Sequence, residues 1–280
     1  MEGFKGRKLI VATKHKKELV ISPILEKALG VHCFTDPNFD TDFFGTFSGE
    51  TPRLKPPLET ARLKCLSAME RNDCDLGVAS EGSFGPHPTM YFANADDEIL
   101  ILIDKKNNLE IKVRALSTET NFNGKVIHNL EELLAFAELV KFPSHGVILK
   151  TSELDTDGMI KDITTLPQLQ NAFKLMHKTH NKVYVETDMR AMYNPMRMNV
   201  IAEAARKLTK KIQSLCPECH TPGFGITDLK KGLPCKFCGS PTQSTLSLIY
   251  KCDKCSFSKE DFYPNDKTTE DPMYCDYCNP

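Results

Sequence analysis

Eight of the chain's 11 cysteines follow residue 215, as four C-x2-C pairs: Cys216 and Cys219, Cys235 and Cys238, Cys252 and Cys255, Cys275 and Cys278. A C-x2-C turn aims two thiolates at one point. Two such turns complete a tetrahedral all-thiolate site, so four of them imply two Zn2+ ions. Disulfides would suit a secreted scaffold and iron-sulfur clusters also take thiolates, but repeated knuckles, with Gly239 directly after the second, favour zinc ribbons. The spacing leaves the wiring open. GSPTQSTLSLIYKC, between the second and third pairs, reads as a turn and a strand, so those pairs could share one ion and the first and fourth the other. A sequential arrangement, first with second and third with fourth, has loops of comparable length. Residues 216–280 carry too few large apolar side chains to hold a core unaided, and structural zinc contributes roughly 10–16 kcal/mol of apparent folding free energy in small fingers. The zinc is therefore structural.

Four other clusters carry groups suited to an anion or a hard cation. TKHKKE, after the apolar run LIVA, offers Thr13, Lys14, His15, Lys16 and Lys17 at a helix start, where backbone N–H groups, a hydroxyl and ammonium groups suit a phosphate. NFDTDFFGTFSGETPR, residues 38–53, sets Asp40, Asp42, Ser48, Glu50 and Arg53 among four phenylalanines. Leaving each ring exposed forfeits roughly 1.5–3 kcal/mol, so the segment folds back on the body or covers a ligand. ASEGSFGPHP, residues 79–88, comes directly after the apolar Leu76-Gly77-Val78 and places Ser80, Glu81, Ser83 and His87 between glycines and prolines. It reads as a strand-end loop shaped around something, in which Glu81 would ligate Mg2+. VETDMRAMYNPMRMN supplies Glu186, Asp188, Arg190 and Arg197, as internal ion pairs or as a clamp for phosphate or carboxylate. No nucleophile motif, P-loop or G-x-G-x-x-G is present.

Strands and helices must bring these groups together. Leu9 to Thr13 reads as a buried strand, LVISPILEKALG as a helix stopped by Gly30, and PPLETARLKCLSAMERND as a helix opened by prolines. EILILID and LEIKVRAL flank a polar turn and predict a β-hairpin from about Glu98 to Leu116. LEELLAFAELV and TLPQLQNAFKLMHKTH are helical, GVILKT and VYVETD are strands, and a last helix runs from about Pro195 to Leu215. The alternation predicts an α/β layered domain with a mixed sheet over residues 1–213, with a small double zinc-ribbon module over 214–280. In such sheets ligands sit at the carboxyl ends of strands, where the four clusters fall.

With 36 basic against 37 acidic residues, the chain has no whole-molecule pull toward nucleic acid or an anionic membrane. Residues 214–280 hold seven Lys, no Arg and nine Asp or Glu, which disfavours phosphate-backbone binding and favours a protein partner at the ribbon. The N-terminal MEGFKGRKLIVATKHKKEL has too short an apolar run for a signal peptide or a membrane span, so a cytoplasmic protein is expected.

FDTDFFGTFSGE, ASEGSFGPHP, ETDMRAMYNPMRM and the paired-knuckle tail together resemble an uncharacterised bacterial family, a domain of unknown function with a C-terminal double four-cysteine ribbon. Residues 8 to about 90 also resemble, in motif order, the inosine/xanthosine triphosphatase-like nucleotide pyrophosphatases. ATKHKK stands at that superfamily's phosphate loop, FSGE at its second loop, ETARLKCLSA on its helix and VASEGSFG at its metal-binding acid. His15 replaces the usual asparagine, Ser83 stands where glycine is common, and those enzymes lack the zinc tail. The resemblance implies an inosine triphosphatase-like fold, with Lys14 on phosphate and Glu81 binding Mg2+ or orienting water. The expected function is a metal-dependent, nucleotide pyrophosphatase-like hydrolase in which Glu81 and Lys14 are catalytic. Thr13, Lys14, Ser48, Glu50, Arg53, His87, Arg190 and Arg197 would bind the nucleotide or other phosphorylated molecule. The alternatives are a non-enzymatic nucleotide- or anion-binding module that contacts a protein through its ribbon, and a nucleic-acid-binding ribbon protein.

Overall fold

In the structure, a computed structural model that describes residues 3–45, 51 and 54–280, the first apolar run forms the inner strand β1 (Lys8–Ala12). The chain then turns into helix α1 (Glu18–Leu29), which buries Ile21, Leu25 and Leu29 and ends on Gly30 in the left-handed region, at φ 69°. Strand β2 (His32–Phe34) and, after helix α2 (Pro57–Arg71), strand β3 (Leu76–Pro86) lie parallel to β1 on either side. Strands β4 (Asn94–Asp104) and β5 (Leu109–Ser117) complete an antiparallel meander, giving the order β2-β1-β3-β4-β5. α2 packs Ala61, Cys65, Ala68 and Met69 against Ile10, Ala79 and Ile101 of the sheet.

The first unit holds the expected mixed sheet and, beside it, a second sheet. Strands β6 (Gly124–Ile127), β7 (Val147–Lys150), β8 (Ile160–Ile163) and β9 (Val183–Thr187) form a separate, wholly antiparallel sheet in the order β6-β9-β7-β8. Helices α3 (Leu130–Leu139) and α4 (Leu166–His180) supply Leu133, Phe136, Leu169 and Phe173 to its own core. Their starts are written locally: the Asn129 side chain accepts from the Glu132 N–H, and Thr165 with Gln168 closes a capping box. The last helix, α5, spans Pro195–Gln213. Compact units divide at Thr209/Lys210, inside α5 and slightly before the expected boundary. In the second unit β10 (Gly225–Lys231), β11 (Thr245–Lys251) and β12 (Ser258–Phe262) form a three-stranded antiparallel ribbon. Among the described residues no helix is long and apolar enough to cross a membrane.

Strand alternation sorts the first sheet's polar residues onto two faces. Ala79 and Glu81 point to the α2 side. Ser80 and Gly82 point the other way, where Glu98, directly opposite Gly82 on β4, bonds Arg197 of α5. A Cβ on Gly82 would lie 2.6 Å from Arg197 Nη2 and closer still to the Glu98 carboxylate, so only glycine lets this ion pair lie against the strand. Gly82→Ala is expected to lower stability by about 1–3 kcal/mol in urea unfolding. A wild-type midpoint in that variant would show that the pair does not press on the backbone.

Candidate functional site

Antiparallel pairing decides how the cysteines group. Gly225 at the start of β10 lies opposite Lys251 at the end of β11, while Lys231 at the end of β10 lies opposite Thr245 at the start of β11. The first and third knuckles therefore emerge at one end of the ribbon. The second knuckle emerges at the other, where the chain leaves β12 toward the fourth. Cys216, Cys219, Cys252 and Cys255 form one group and Cys235, Cys238, Cys275 and Cys278 the other, with the sulfurs of each within 4.8 Å of one another. This interleaving replaces both expected pairings: neither second with third nor a sequential order survives the alternation of strand direction. The sulfurs of Cys216 and Cys255, and of Cys219 and Cys252, are 3.6 Å apart. Cys235 and Cys278 are 3.8 Å apart, and Cys238 and Cys275 3.6 Å. Tetrahedral zinc with Zn–S bonds near 2.3 Å requires about 3.8 Å between sulfurs, so both groups fit zinc. Backbone N–H groups of Phe237 and Lys254 donate to the Cys235 and Cys252 sulfurs, a pattern suited to thiolates. Phe224, between Tyr250 and Phe257, supplies the little apolar core there is beside the first group.

A second site opens in the first unit where β1 and β3 part. Their parallel pairing ends at Ala12 opposite Ala79; the chain then swings into α1 while β3 runs on. The cleft left there has a volume of about 30 Å³ and is lined by Thr13, Lys14, Glu81 and Arg197 of the expected set, joined by Lys17, Lys64 and Ser80. That is room for about two water-sized groups.

Its walls are charged and largely buried. Lys64 Nζ donates to Glu81 Oε2 at 2.6 Å, Arg197 Nε to Glu98 Oε1 at 2.7 Å and Lys17 Nζ to Ser80 Oγ at 2.9 Å, and all six residues are buried. Arg197 also donates to the Met189 carbonyl and lies over the Phe84 ring, 5.0 Å from its centroid. Lys14 is more exposed, bridging Asp40 at 2.9 Å and Asp42 at 2.7 Å. Burial, with Arg197 nearby, brings the Lys17 ammonium down to about 8, and burial beside Lys17 brings His15 down to about 4, leaving its imidazole neutral at pH 7. Burial, reinforced by Glu98, pushes the Asp96 carboxyl up to about 8. Among the described residues the buried Thr13 Oγ1, both Asp96 oxygens and Glu98 Oε2 have no hydrogen-bond partner.

Several expectations are corrected here. ASEGSFGPHP is not a strand-end loop: β3 continues to Pro86 and pairs residue by residue with β4, and the turn is displaced to residues 87–93. His87 lies in that turn, its Nδ1 accepting the Thr89 and Met90 N–H groups, and does not line the cleft. Arg190 does not line it either; its guanidinium is taken by Asp188 and Asp162 and lies over Tyr193. Ser48, Glu50 and Arg53 fall outside the described residues. Mg2+ does not fit at Glu81, because Lys64 already holds that carboxylate and Lys14 holds Asp42, the other acid lining the cleft. A dication there would meet an ammonium group at contact distance. Lys64, Asp96 and Glu98 are absent from the four clusters singled out in the sequence. Lys64 carried a signal, since it sits three residues after Ala61 and four before Ala68 on the apolar stripe of α2.

The profile of a family described as Domain of unknown function (DUF6671) matches residues 64–280, a span that includes Lys64, Ser80, Glu81, Glu98, Arg197 and all eight ribbon cysteines. None of the curated proteins compared with the chain matches it. Among solved structures, the crystal structure of protein VC0702 from Vibrio cholerae aligns at 9% identity over 72% of this chain and 93% of that one. Its TM-score of 0.33 is too low to bear on fold or activity.

Double substitutions distinguish the wirings. Replacing Cys216 and Cys252 with serine is expected to remove one of two zinc ions per chain, whereas replacing Cys216 and Cys235 is expected to remove both, by metal analysis of purified protein. The reverse result would restore one of the rejected pairings.

Proposed function

The protein belongs to the family described as Domain of unknown function (DUF6671), and from its own side chains we propose that it cleaves a phosphoanhydride in a nucleotide or similar phosphorylated molecule bound in the cleft at the end of β1. One observation carries this reading: the donor-bearing side chains of Lys14, Lys17, Lys64 and Arg197 converge with Thr13 on a single cleft. A small anion would accept from those groups, and the buried Thr13 hydroxyl offers it a donor that no described residue takes. The cleft is small, so most of the bound molecule would extend past its rim, where Lys14 and Asp42 stand.

The side chains divide the work. Arg197, fixed by Glu98, and Lys64, fixed by Glu81, present positive charge that needs no reorganisation as negative charge develops on the leaving phosphate. Lys14 receives the more distal phosphate at the mouth. No step is assigned to Mg2+. At the other end of the chain the two four-cysteine groups hold zinc as folding supports, and the ribbon's acidic balance favours a protein as its partner over nucleic acid.

Incubating the protein with a panel of nucleoside di- and triphosphates, with and without added Mg2+, is expected to release phosphate or pyrophosphate from at least one. Lys14→Ala, a change at an exposed side chain, should lower kcat/KM about tenfold through the loss of one charge-assisted contact. No release from any member contradicts the reading. Ligand-induced thermal stabilisation without release would favour the non-enzymatic binding module.

A further inference from the structure

Ser80 and Lys17 form a pair that anion binding alone does not require. Their Oγ and Nζ are 2.9 Å apart, both side chains are buried, and both line the cleft. An anion site asks its lysine to spend its donors on the ligand; here one is spent on a serine hydroxyl from the neighbouring strand. A serine within hydrogen-bond reach of a buried lysine is the arrangement in which an amine serves as base for an alcohol nucleophile. We propose that Ser80 is a nucleophile and Lys17 its general base, so that cleavage passes through a covalent phosphoserine. This rests on the phosphoanhydride reading above.

The steps balance without an outside reagent. The neutral Lys17 amine takes the Ser80 hydroxyl proton as Oγ forms a bond to phosphorus. The bridging P–O bond breaks, its electron pair stays on the leaving phosphate, and Lys17 returns the proton to that oxygen. Water then attacks the phosphoserine while Lys17 takes one of its protons. The Ser80 O–P bond breaks, and Oγ recovers a proton from Lys17, releasing inorganic phosphate. Arg197 and Lys64 offset charge on the phosphoryl oxygens in both halves.

Placement explains why the amine can lose its proton near neutral pH. Lys17 is faced by Arg197 from α5, Lys64 from α2, Glu81 from β3, Glu98 and Asp96 from β4, and His15 from the loop before α1. Burial is the largest influence and favours the neutral amine; Arg197 and Lys64 favour it too, while Glu81 and Glu98 oppose. Lys17 is therefore free base above about pH 8. Asp96 gives up its proton over the same range, so an observed midpoint belongs to the pair.

Methanesulfonyl fluoride, a compact reagent that sulfonylates activated serine and releases fluoride, tests the dyad without knowledge of the substrate. Full-length protein is expected to gain one adduct, mapped to Ser80 by peptide mass spectrometry. The rate should climb about tenfold per pH unit below pH 8 and level off above it. Ser80→Ala should abolish the adduct, and Lys17→Met should slow it at least 100-fold; the wild-type pH profile decides should that variant fail to fold. No adduct on Ser80 between pH 7 and pH 9.5, or a rate that does not change with pH, overturns the proposal. Labelling of Ser80 in a protein that hydrolyses no phosphoanhydride would keep the dyad and discard the substrate class.

Discussion

Three cations, Lys17, Lys64 and Arg197, lie buried together beside a five-stranded sheet, and the local structure is arranged to keep them charged or ready to be. Removing such ions from water costs several kcal/mol each, even after relaxation. Glu81 and Glu98 compensate two of them, Ser80 holds the third, and Gly82 gives up a side chain so that Arg197 can approach the strand. Apolar residues of similar volume would serve stability as well or better. Retaining so many charges at a strand terminus makes physical sense when a ligand supplies the missing negative charge. The upward push on the Asp96 carboxyl, from burial and then Glu98, fits the same picture, since in its neutral form it does not add to the acids already there.

The two units solve the problem of stability differently. The first buries extended apolar layers: α2 on the mixed sheet, and α3 with α4 on the antiparallel one. The second has one small aromatic cluster around Phe224 and two four-cysteine groups that fit zinc. A single helix spans the division between them.

The sequence is readable where the signal is local. Periodicity locates α1 to α5, and the β4–β5 hairpin stands out because its alternation flanks a polar turn. The eight zinc cysteines are visible from C-x2-C spacing alone. Their wiring is not, because it depends on strand direction in a ribbon whose first and last strands, GITDLKK and SKEDF, carry few apolar residues to announce them. ASEGSFGPHP reads as a loop because a carboxylate beside glycines rarely continues a buried strand. It does so here because α2 delivers Lys64 to Glu81 and α5 delivers Arg197 over Gly82, partners 17 and 115 residues away in sequence. Arg190 and His87 have the right chemistry, but nearer partners take it: Asp188 two positions before the arginine, and the Thr89 and Met90 amides just after the histidine. Burial and long-range pairing, rather than residue type, separate site from scaffold in this chain.

Calorimetric titration of the full-length protein with pyrophosphate bears most directly on whether the buried cations serve an anion. One saturable site per chain is predicted, weakened by added salt and weakened again by Thr13→Val, which removes a buried hydroxyl without a partner among the described residues while preserving shape. Absence of saturable binding to the wild-type protein at millimolar pyrophosphate would contradict it and return the buried cations to a purely structural role.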